Sequence, residues 1–230
     1  MKPYACIGMR IQFCSKIRWA CVLSFVACVP AGLAQGTLSS WGYNTDYQLG
    51  NGTNTDSPTP ASASLWTNGV KAMAGGELRT VVLKPDGTVW SWGDGASGQM
   101  GNGTNVLNNV TPVKANISNV IAIAAGYIHT LALTADGKVW GWGSNSNGQL
   151  GDGTSGNNRT TPVQVIFAGP VPPTIVKISA GYYHSMALST DGRVWTWGWN
   201  DSGQLGDATN TTRLTPVQIN ALTNVKDIAT

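Results

Sequence analysis

The stretch Asp136-Gly137-Lys138-Val139-Trp140-Gly141-Trp142-Gly143, with Gln149-Leu150-Gly151 seven residues beyond Trp142, decides the reading of this chain. Its phrases stand again at Trp41-Gly42 with Gln48-Leu49-Gly50, at Trp92-Gly93 with Gln99-Met100-Gly101 and at Trp197-Gly198 with Gln204-Leu205-Gly206. The tryptophan therefore recurs after 51, 50 and 55 residues. Self-similarity at such a period means an array of one supersecondary unit stacked on itself. The recurring residues build the scaffold, and function belongs to the positions at which the copies differ.

Around the quoted stretch the unit reads as short strands. Val120-Ile121-Ala122-Ile123-Ala124-Ala125-Gly126 is an apolar run, and His129-Thr130-Leu131-Ala132-Leu133 alternates large and small. Asp136-Gly137 tolerates the positive φ of a tight turn, so it links the His run to the Trp run as a hairpin; the same turn recurs at Asp86-Gly87 and Asp191-Gly192. Trp140 and Trp142 are two apart on a strand and share a face, as do Trp90 with Trp92 and Trp195 with Trp197. That spacing predicts indoles packed between neighbouring units. A polar loop of the form Asn-x-x-Gly-Gln-Leu-Gly-x-Gly-Thr then leads to a fourth strand, expected at Pro112-Val113, Pro162-Val163-Gln164-Val165 and Pro216-Val217-Gln218-Ile219. A proline opening each of these strands loses no ladder bond. Four short strands in a repeat of about 50 residues describe a propeller blade. The expected fold class is all-β, a β-propeller of four-stranded blades with about four blades present, and the third copy's extra length, Ala168-Gly169-Pro170-Val171-Pro172-Pro173, reads as a rigid surface loop.

Ala125-Gly126-Tyr127-Ile128-His129-Thr130-Leu131-Ala132-Leu133, the Asp-Gly turn, Val-Trp-x-Trp-Gly and Gly-Gln-Leu-Gly together resemble the repeat of the regulator of chromosome condensation (RCC1) family. The resemblance runs from about Gly36 to the last residue. It implies RCC1-type blades, in a ring that closes with seven blades in the well-known members. The family name also suggests guanine-nucleotide exchange on a small GTPase, although a shared fold hosts unrelated functions.

Residues 1–34 do not belong to the array. Lys2, Arg10, Lys16 and Arg18 precede an apolar stretch from Trp19 to Val29, and Ala31, Gly32 and Ala34 lie just before Gln35. This layout is that of a secretory signal peptide cleaved after Ala34, with an uncleaved anchor as the rival reading. The apolar core is short for a membrane span, so none is expected in the mature chain. The leader holds four of the 14 Lys and Arg and none of the 11 Asp and Glu, which leaves ten positive against 11 negative side chains and a net charge near minus one in residues 35–230. Nucleic acid needs a basic stripe, so the mature part is not expected to bind it. Cys6, Cys14, Cys21 and Cys28 also lie in the leader, and no disulfide or thiol chemistry is expected beyond it. The chain is expected to be secreted, periplasmic or displayed at the cell surface.

Residues 35–230 hold just under four repeats and open in mid-blade. A propeller must close, because an open blade presents an unpaired strand edge and apolar rings to water. Either a longer array or a homodimer is expected to complete the ring.

The sequence carries little reaction chemistry. His129 and His184 share one repeat position, and Arg79 occupies it in the second copy. A repeated polar residue is expected to hydrogen-bond a neighbouring strand. His184 and Ser185 point to opposite faces of a strand and make no dyad with each other. Gly93-Asp94-Gly95-Ala96-Ser97-Gly98 matches a dinucleotide fingerprint but opens no helix. Asp152-Gly153-Thr154 and Asn200-Asp201-Ser202-Gly203 offer oxygen ligands without the full calcium-loop spacing. No catalytic residue, cofactor or metal site is therefore assigned, and an enzyme is not expected.

Where the copies differ, aromatic residues stand out. The two positions before the His or Arg carry Glu77-Leu78, Tyr127-Ile128 and Tyr182-Tyr183, and the loop after Trp-Gly carries Tyr43 and Tyr47 in the first copy and Trp199 in the fourth. Rigid aromatic side chains on a rim give large contact area at low entropic cost. Tyr43, Tyr47, Tyr127, Ile128, Tyr182, Tyr183 and Trp199 are the candidate partner-binding rim, with packing against neighbouring loops as the alternative. Secreted bacterial propellers similar to this family, among them inhibitors of β-lactamases, grip partner proteins at comparable positions. The expected function is a secreted or surface-exposed protein-binding module, an inhibitor or an adhesion segment; the alternative is the GTPase exchange factor.

Overall fold

In the computed structural model, which describes residues 23–26, 38–66, 69–169 and 172–230, each Trp phrase lies on a strand with neighbours on both edges. Three antiparallel four-stranded sheets follow one another. The second blade is β4 (Ala72–Gly75), β5 (Arg79–Leu83), β6 (Val89–Asp94) and β7 (Asn108–Lys114). The third is β8 (Val120–Ala125), β9 (His129–Thr134), β10 (Val139–Gly143) and β11 (Arg159–Gln164), and the fourth is β12 (Ile175–Ala180), β13 (His184–Ser189), β14 (Val194–Gly198) and β15 (Arg213–Gln218). The first sheet has three strands, β1 (Leu23–Val26), β2 (Leu38–Gly42) and β3 (Ser57–Ser62). Strand β1 comes from the segment read as a signal peptide and pairs antiparallel with β2. The rest of residues 1–34 lies outside the described residues, as do Pro170 and Val171 of the segment expected to form a rigid surface loop.

The hairpins follow the expected turn chemistry. Gly87, Gly137 and Gly192 have φ of 77°, 78° and 76°, the left-handed region that a Cβ disfavours. The fourth strands correct the sequence reading. They begin at Asn108, Arg159 and Arg213, so Pro112, Pro162 and Pro216 lie inside them. The physical reason is twofold: these strands are sheet edges, and each ladder shifts register beside its proline, between Ser91 and Gly93, Gly141 and Gly143, and Thr196 and Gly198. A bulge on an edge strand is where a residue without an N–H is tolerated.

The core lies between blades. Trp92, Trp142 and Trp197 are fully buried. Trp142 joins Val81, Leu83 and Val89 of the second blade, while Trp197 joins Leu131, Leu133 and Val139 of the third. Truncating one such ring would cost about 3–5 kcal/mol. Each indole also donates backwards by one blade: Trp92 Nε1 to the Gln48 carbonyl (3.0 Å), Trp142 Nε1 to that of Gln99 (2.9 Å) and Trp197 Nε1 to that of Gln149 (2.9 Å). The repeated Gln-Leu-Gly phrase is thereby explained. Its Gln carbonyl receives the next indole, and its Gly lets that indole approach, since a Cβ on Gly50, Gly101 or Gly151 would sit 2.6, 2.7 or 2.8 Å from the indole nitrogen.

The chain continues past the fourth blade in the same pattern. Val225 N donates to Gly192 O at 3.0 Å, as Val120 N donates to Gly87 O at 3.0 Å. Asn224 and Asn119 both precede that contact with left-handed φ, 57° and 58°. Lys177 and Asp227 pair at 2.8 Å, and Thr230 N donates to Ser179 Oγ at 3.1 Å, so residues 225–230 lie along β12 where the inner strand of a further blade would run.

Candidate protein-binding rim

Two repeat positions on one rim set the site. The first is two residues before the His or Arg, at the turn between the first and second strands; it is Glu77, Tyr127 and Tyr182 in blades two to four. The second follows Trp-Gly at the end of the third strand; it is Tyr43, Asp94, Ser144 and Trp199. Backbone bonds tie the two together within each blade, with Asp94 N donating to Leu78 O, Ser144 N to Ile128 O and Trp199 N to Tyr183 O, each at 2.9 Å. Both positions therefore open on the same end of the blades.

The blade-to-blade latch under this rim is made by Arg79 and His129 of the repeated Arg/His position, whereas the His184 ring makes no such bond among the described residues. Arg79, fully buried, donates through Nη1 to Tyr127 O (2.8 Å) and through Nη2 to His129 O (2.6 Å), Gly126 O (3.3 Å) and Thr130 Oγ1 (3.3 Å) of the next blade. Burial lowers its pKa to about 10, offset in part by Asp94 and Glu77, so it stays charged at neutral pH. His129 reaches one blade further on, with Nε2 3.0 Å from Ser185 Oγ. Ser185 Oγ itself donates to Gln149 O at 2.8 Å, which leaves His129 Nε2 as the donor to Ser185. The sequence reading missed this His–Ser pair because its members lie 56 residues apart. It is not a nucleophile and base: both residues are fully buried, and the Ser proton is held by a carbonyl. Burial also lowers the His129 pKa to about 3, with Arg79 and His184 adding to the shift, and burial lowers that of His184.

Above the latch the structure brings four of the seven candidate rim residues together. Tyr127 and Tyr182 stack with centroids 3.8 Å apart and planes at 21°. Tyr183 stands edge-on to Tyr127 at 5.7 Å and to Tyr182 at 4.4 Å, and Trp199 meets Tyr183 at 6.2 Å. Tyr182 is 51% exposed. Ile128, which fills the repeat position of Tyr183, is half-buried. Tyr43 and Tyr47 make no ring contact with this ladder. Tyr47 stands where the later copies carry Gly98, Gly148 and Gly203, and it takes their left-handed conformation, φ 65° against 78°, 72° and 73°. It is therefore a loop residue held in a glycine conformation.

Three carboxylates complete the rim, and aromatic counting overlooked them. Glu77 accepts a hydrogen bond from the Tyr127 hydroxyl. Burial raises the Glu77 pKa, the Tyr127 bond opposing it and Asp94 reinforcing it; burial and then Asp94 raise that of Asp46. The Tyr127 phenol is shifted upward by burial and by Glu77, and the Tyr183 phenol by burial and by Tyr182. Among the described residues none of Asp46, Glu77 and Asp94 has an ion-pair partner, whereas Asp152 and Asp207 are held by Arg159 and Arg213 at 2.7 Å. The signal for Glu77 and Asp94 was in the sequence, since they fill the repeat positions of Tyr127 and Trp199.

The oxygen-rich loops are built for themselves. Asn145 accepts from Leu150 N (3.1 Å) and donates to Asp152 Oδ1 and Thr154 O (both 3.1 Å); Asn200 repeats this with Leu205, Asp207 and Thr209. The Asp152 and Asp207 carboxylates are spent on these contacts and on Arg159 and Arg213. Among the described residues no group of three or more His, Cys, Asp or Glu is placed to hold a metal ion, and no helix is long and apolar enough to cross a membrane.

Stacked four-stranded blades latched through Trp, Gln and His/Arg, carrying their variation on one rim, define a repeat propeller. The chain belongs to the RCC1-like domain family, whose profile matches residues 16–230. It is 33% identical over 190 residues to the ultraviolet-B receptor UVR8 of Arabidopsis thaliana, covering 80% of this chain and 42% of that protein. It is 30% identical over 203 residues to the human E3 ubiquitin-protein ligase HERC2, covering 87% of this chain and 4% of that protein. Among solved structures it superposes on human WBSCR16 with a TM-score of 0.71 at 23% identity, covering 86% of this chain and 52% of that one. It also superposes on yeast RCC1 (Prp20), seen bound to Kap60, with a TM-score of 0.67 at 24% identity, covering 80% and 44%. The chain thus spans about half or less of these relatives.

Proposed function

We propose that this chain is a protein-binding module, secreted or exposed at the cell surface, whose rim of Tyr127, Tyr182, Tyr183 and Trp199 engages a partner protein. The observation that carries this reading is the ring ladder itself, in which blades 50 or so residues apart place contiguous aromatic faces at the blade ends, with Tyr182 half exposed. Such rings are pre-organised by one another and lose little freedom on docking. The test compares proteins captured by the wild type with those captured by a Tyr182→Ala, Tyr183→Ala, Trp199→Ala variant. Loss of specific partners at unchanged far-UV dichroism supports the reading, and unchanged capture removes the ladder from the interface. Export is tested by sequencing the amino terminus of the protein recovered outside the cell, with Gln35 expected. The exchange-factor reading rests on the family name; accelerated nucleotide release from a small GTPase would put it first.

A further inference from the structure

We infer that the partner meets this rim through an arginine-bearing, basic peptide segment. The inference rests on the protein-binding reading above and adds the chemistry of the partner. Repeat equivalence makes the rim two-sided: the positions that are Tyr127, Tyr182 and Trp199 on blades three and four are Glu77 and Asp94 on blade two, with Asp46 contributed by the first blade's loop. The two halves are continuous. The Asn108 side-chain amide donates to Asp46 Oδ1 at 3.3 Å, Asn108 is the ladder partner of Asp94, Asp94 N donates to the carbonyl of Leu78 next to Glu77, Glu77 accepts from the Tyr127 hydroxyl, and Tyr127 stacks on Tyr182, which touches Tyr183 and through it Trp199.

The nearest cation, Arg79, does not neutralise this face from outside. It lies fully buried beneath, with both terminal nitrogens committed to Tyr127 O, His129 O, Gly126 O and Thr130 Oγ1. Elsewhere on the propeller six carboxylates are in ion pairs, Asp86 with Lys84, Asp136 with Lys138, Asp152 with Arg159, Asp191 with Arg193, Asp207 with Arg213 and Asp227 with Lys177, while among the described residues Asp56 and Asp201 are in none. Three carboxylates in no ion pair, with only the buried Arg79 guanidinium acting on Glu77 and Asp94 from beneath and a ladder of electron-rich rings beside them, are complementary to a positive and planar group. Guanidinium suits both halves, since it stacks flat on aromatic faces and forks onto carboxylates, which an ammonium does less well. A polyanion would meet like charge here.

The test measures binding of capped ten-residue Gly/Ser peptides carrying three Arg, three Lys or three Gln, followed by chemical-shift changes in the indole region. Binding of the Arg peptide that weakens with added salt, exceeds that of the Lys peptide and vanishes for the Gln peptide supports the inference. Glu77→Gln with Asp46→Asn, which keeps the acceptor for the Tyr127 hydroxyl, is expected to weaken it about five- to tenfold, and Tyr182→Ala separately by a similar factor. Asp94 is left in place because it accepts from Ala96 N and Gln99 Nε2 within its own turn. Equal binding of the Arg and Gln peptides, no binding of the Arg peptide to the wild type, or no effect of the carboxylate variant overturns the inference. In each of those cases partner capture by the aromatic ladder, read in the separate experiment above, still stands or falls by itself.

Discussion

Adding one methyl group at Gly101 tests how the blades are held together. Gly101 has φ of 73°, and a Cβ there would lie 2.7 Å from Trp142 Nε1 and 2.9 Å from its Cδ1. Gly101→Ala therefore meets two penalties. Holding alanine in the left-handed region costs about 1–2 kcal/mol. Forcing the indole away adds about 1–3 kcal/mol of overpacking, and displacing Trp142 Nε1 from the Gln99 carbonyl enlarges it. Gly103 supplies the control from the same loop: its φ is 91°, but the nearest atom to a Cβ there lies at 3.6 Å. Gly206, the fourth blade's counterpart of Gly101, has φ of 70° and no heavy atom within 4 Å of a Cβ. Urea unfolding followed by tryptophan fluorescence should show Gly101→Ala destabilised by about 2–5 kcal/mol, and Gly103→Ala and Gly206→Ala by about 1–2 kcal/mol. Equal losses at all three positions would refute the claim that the Gln-Leu-Gly glycine exists to admit the next blade's indole.

Three further outcomes follow from the latch and the hairpins. Arg79→Met should cost about 3–5 kcal/mol in urea unfolding, because it leaves the Tyr127 and His129 carbonyls without their donor, and Arg79→Lys should recover little of it, since one ammonium cannot span both. His129 is neutral in the fold down to about pH 3, whereas its unfolded counterpart takes a proton below about 6.5. The unfolded chain then binds the extra proton, so stability falls as pH drops from 6.5 to 5, by up to about 1.4 kcal/mol per pH unit for this group. His129→Gln should flatten the slope in that window, and an unchanged slope would remove His129 as its source. Trp90 Nε1 donates to Thr88 Oγ1 at 3.0 Å, while the buried Nε1 atoms of Trp140 and Trp195 lack a protein acceptor and have Lys138 and Arg193 at the position of Thr88. Lys138→Thr should raise stability by about 1 kcal/mol in thermal unfolding, since the exposed Lys138–Asp136 pair it removes is worth little.

The strands, the Asp-Gly turns and the packing of the paired Trp rings between blades were legible because each depends on residues close in sequence. Alternation places Trp140 and Trp142 on one face, and Asp136-Gly137 closes the hairpin, whatever surrounds them. The inward extent of the fourth strands was not legible, because edge position and a bulge, not local propensity, decide that Pro112, Pro162 and Pro216 are tolerated inside them. Aromatic identity likewise marked seven rim candidates, but it could not separate Tyr127, Tyr182, Tyr183 and Trp199, which touch, from Tyr43 and Tyr47, which do not reach them.

By itself the sequence determined the blade, its period and the surfaces on which blades stack, since every copy repeats the same local instructions. Tertiary structure alone decided what those copies do to one another: that Arg79 grips the carbonyls of the following blade, that His129 meets Ser185, and that Glu77 caps the hydroxyl of Tyr127 beside unpaired Asp46 and Asp94. Such contacts join residues about 50 positions apart, and whether they form depends on how one blade turns against the next, a geometry that no single repeat encodes.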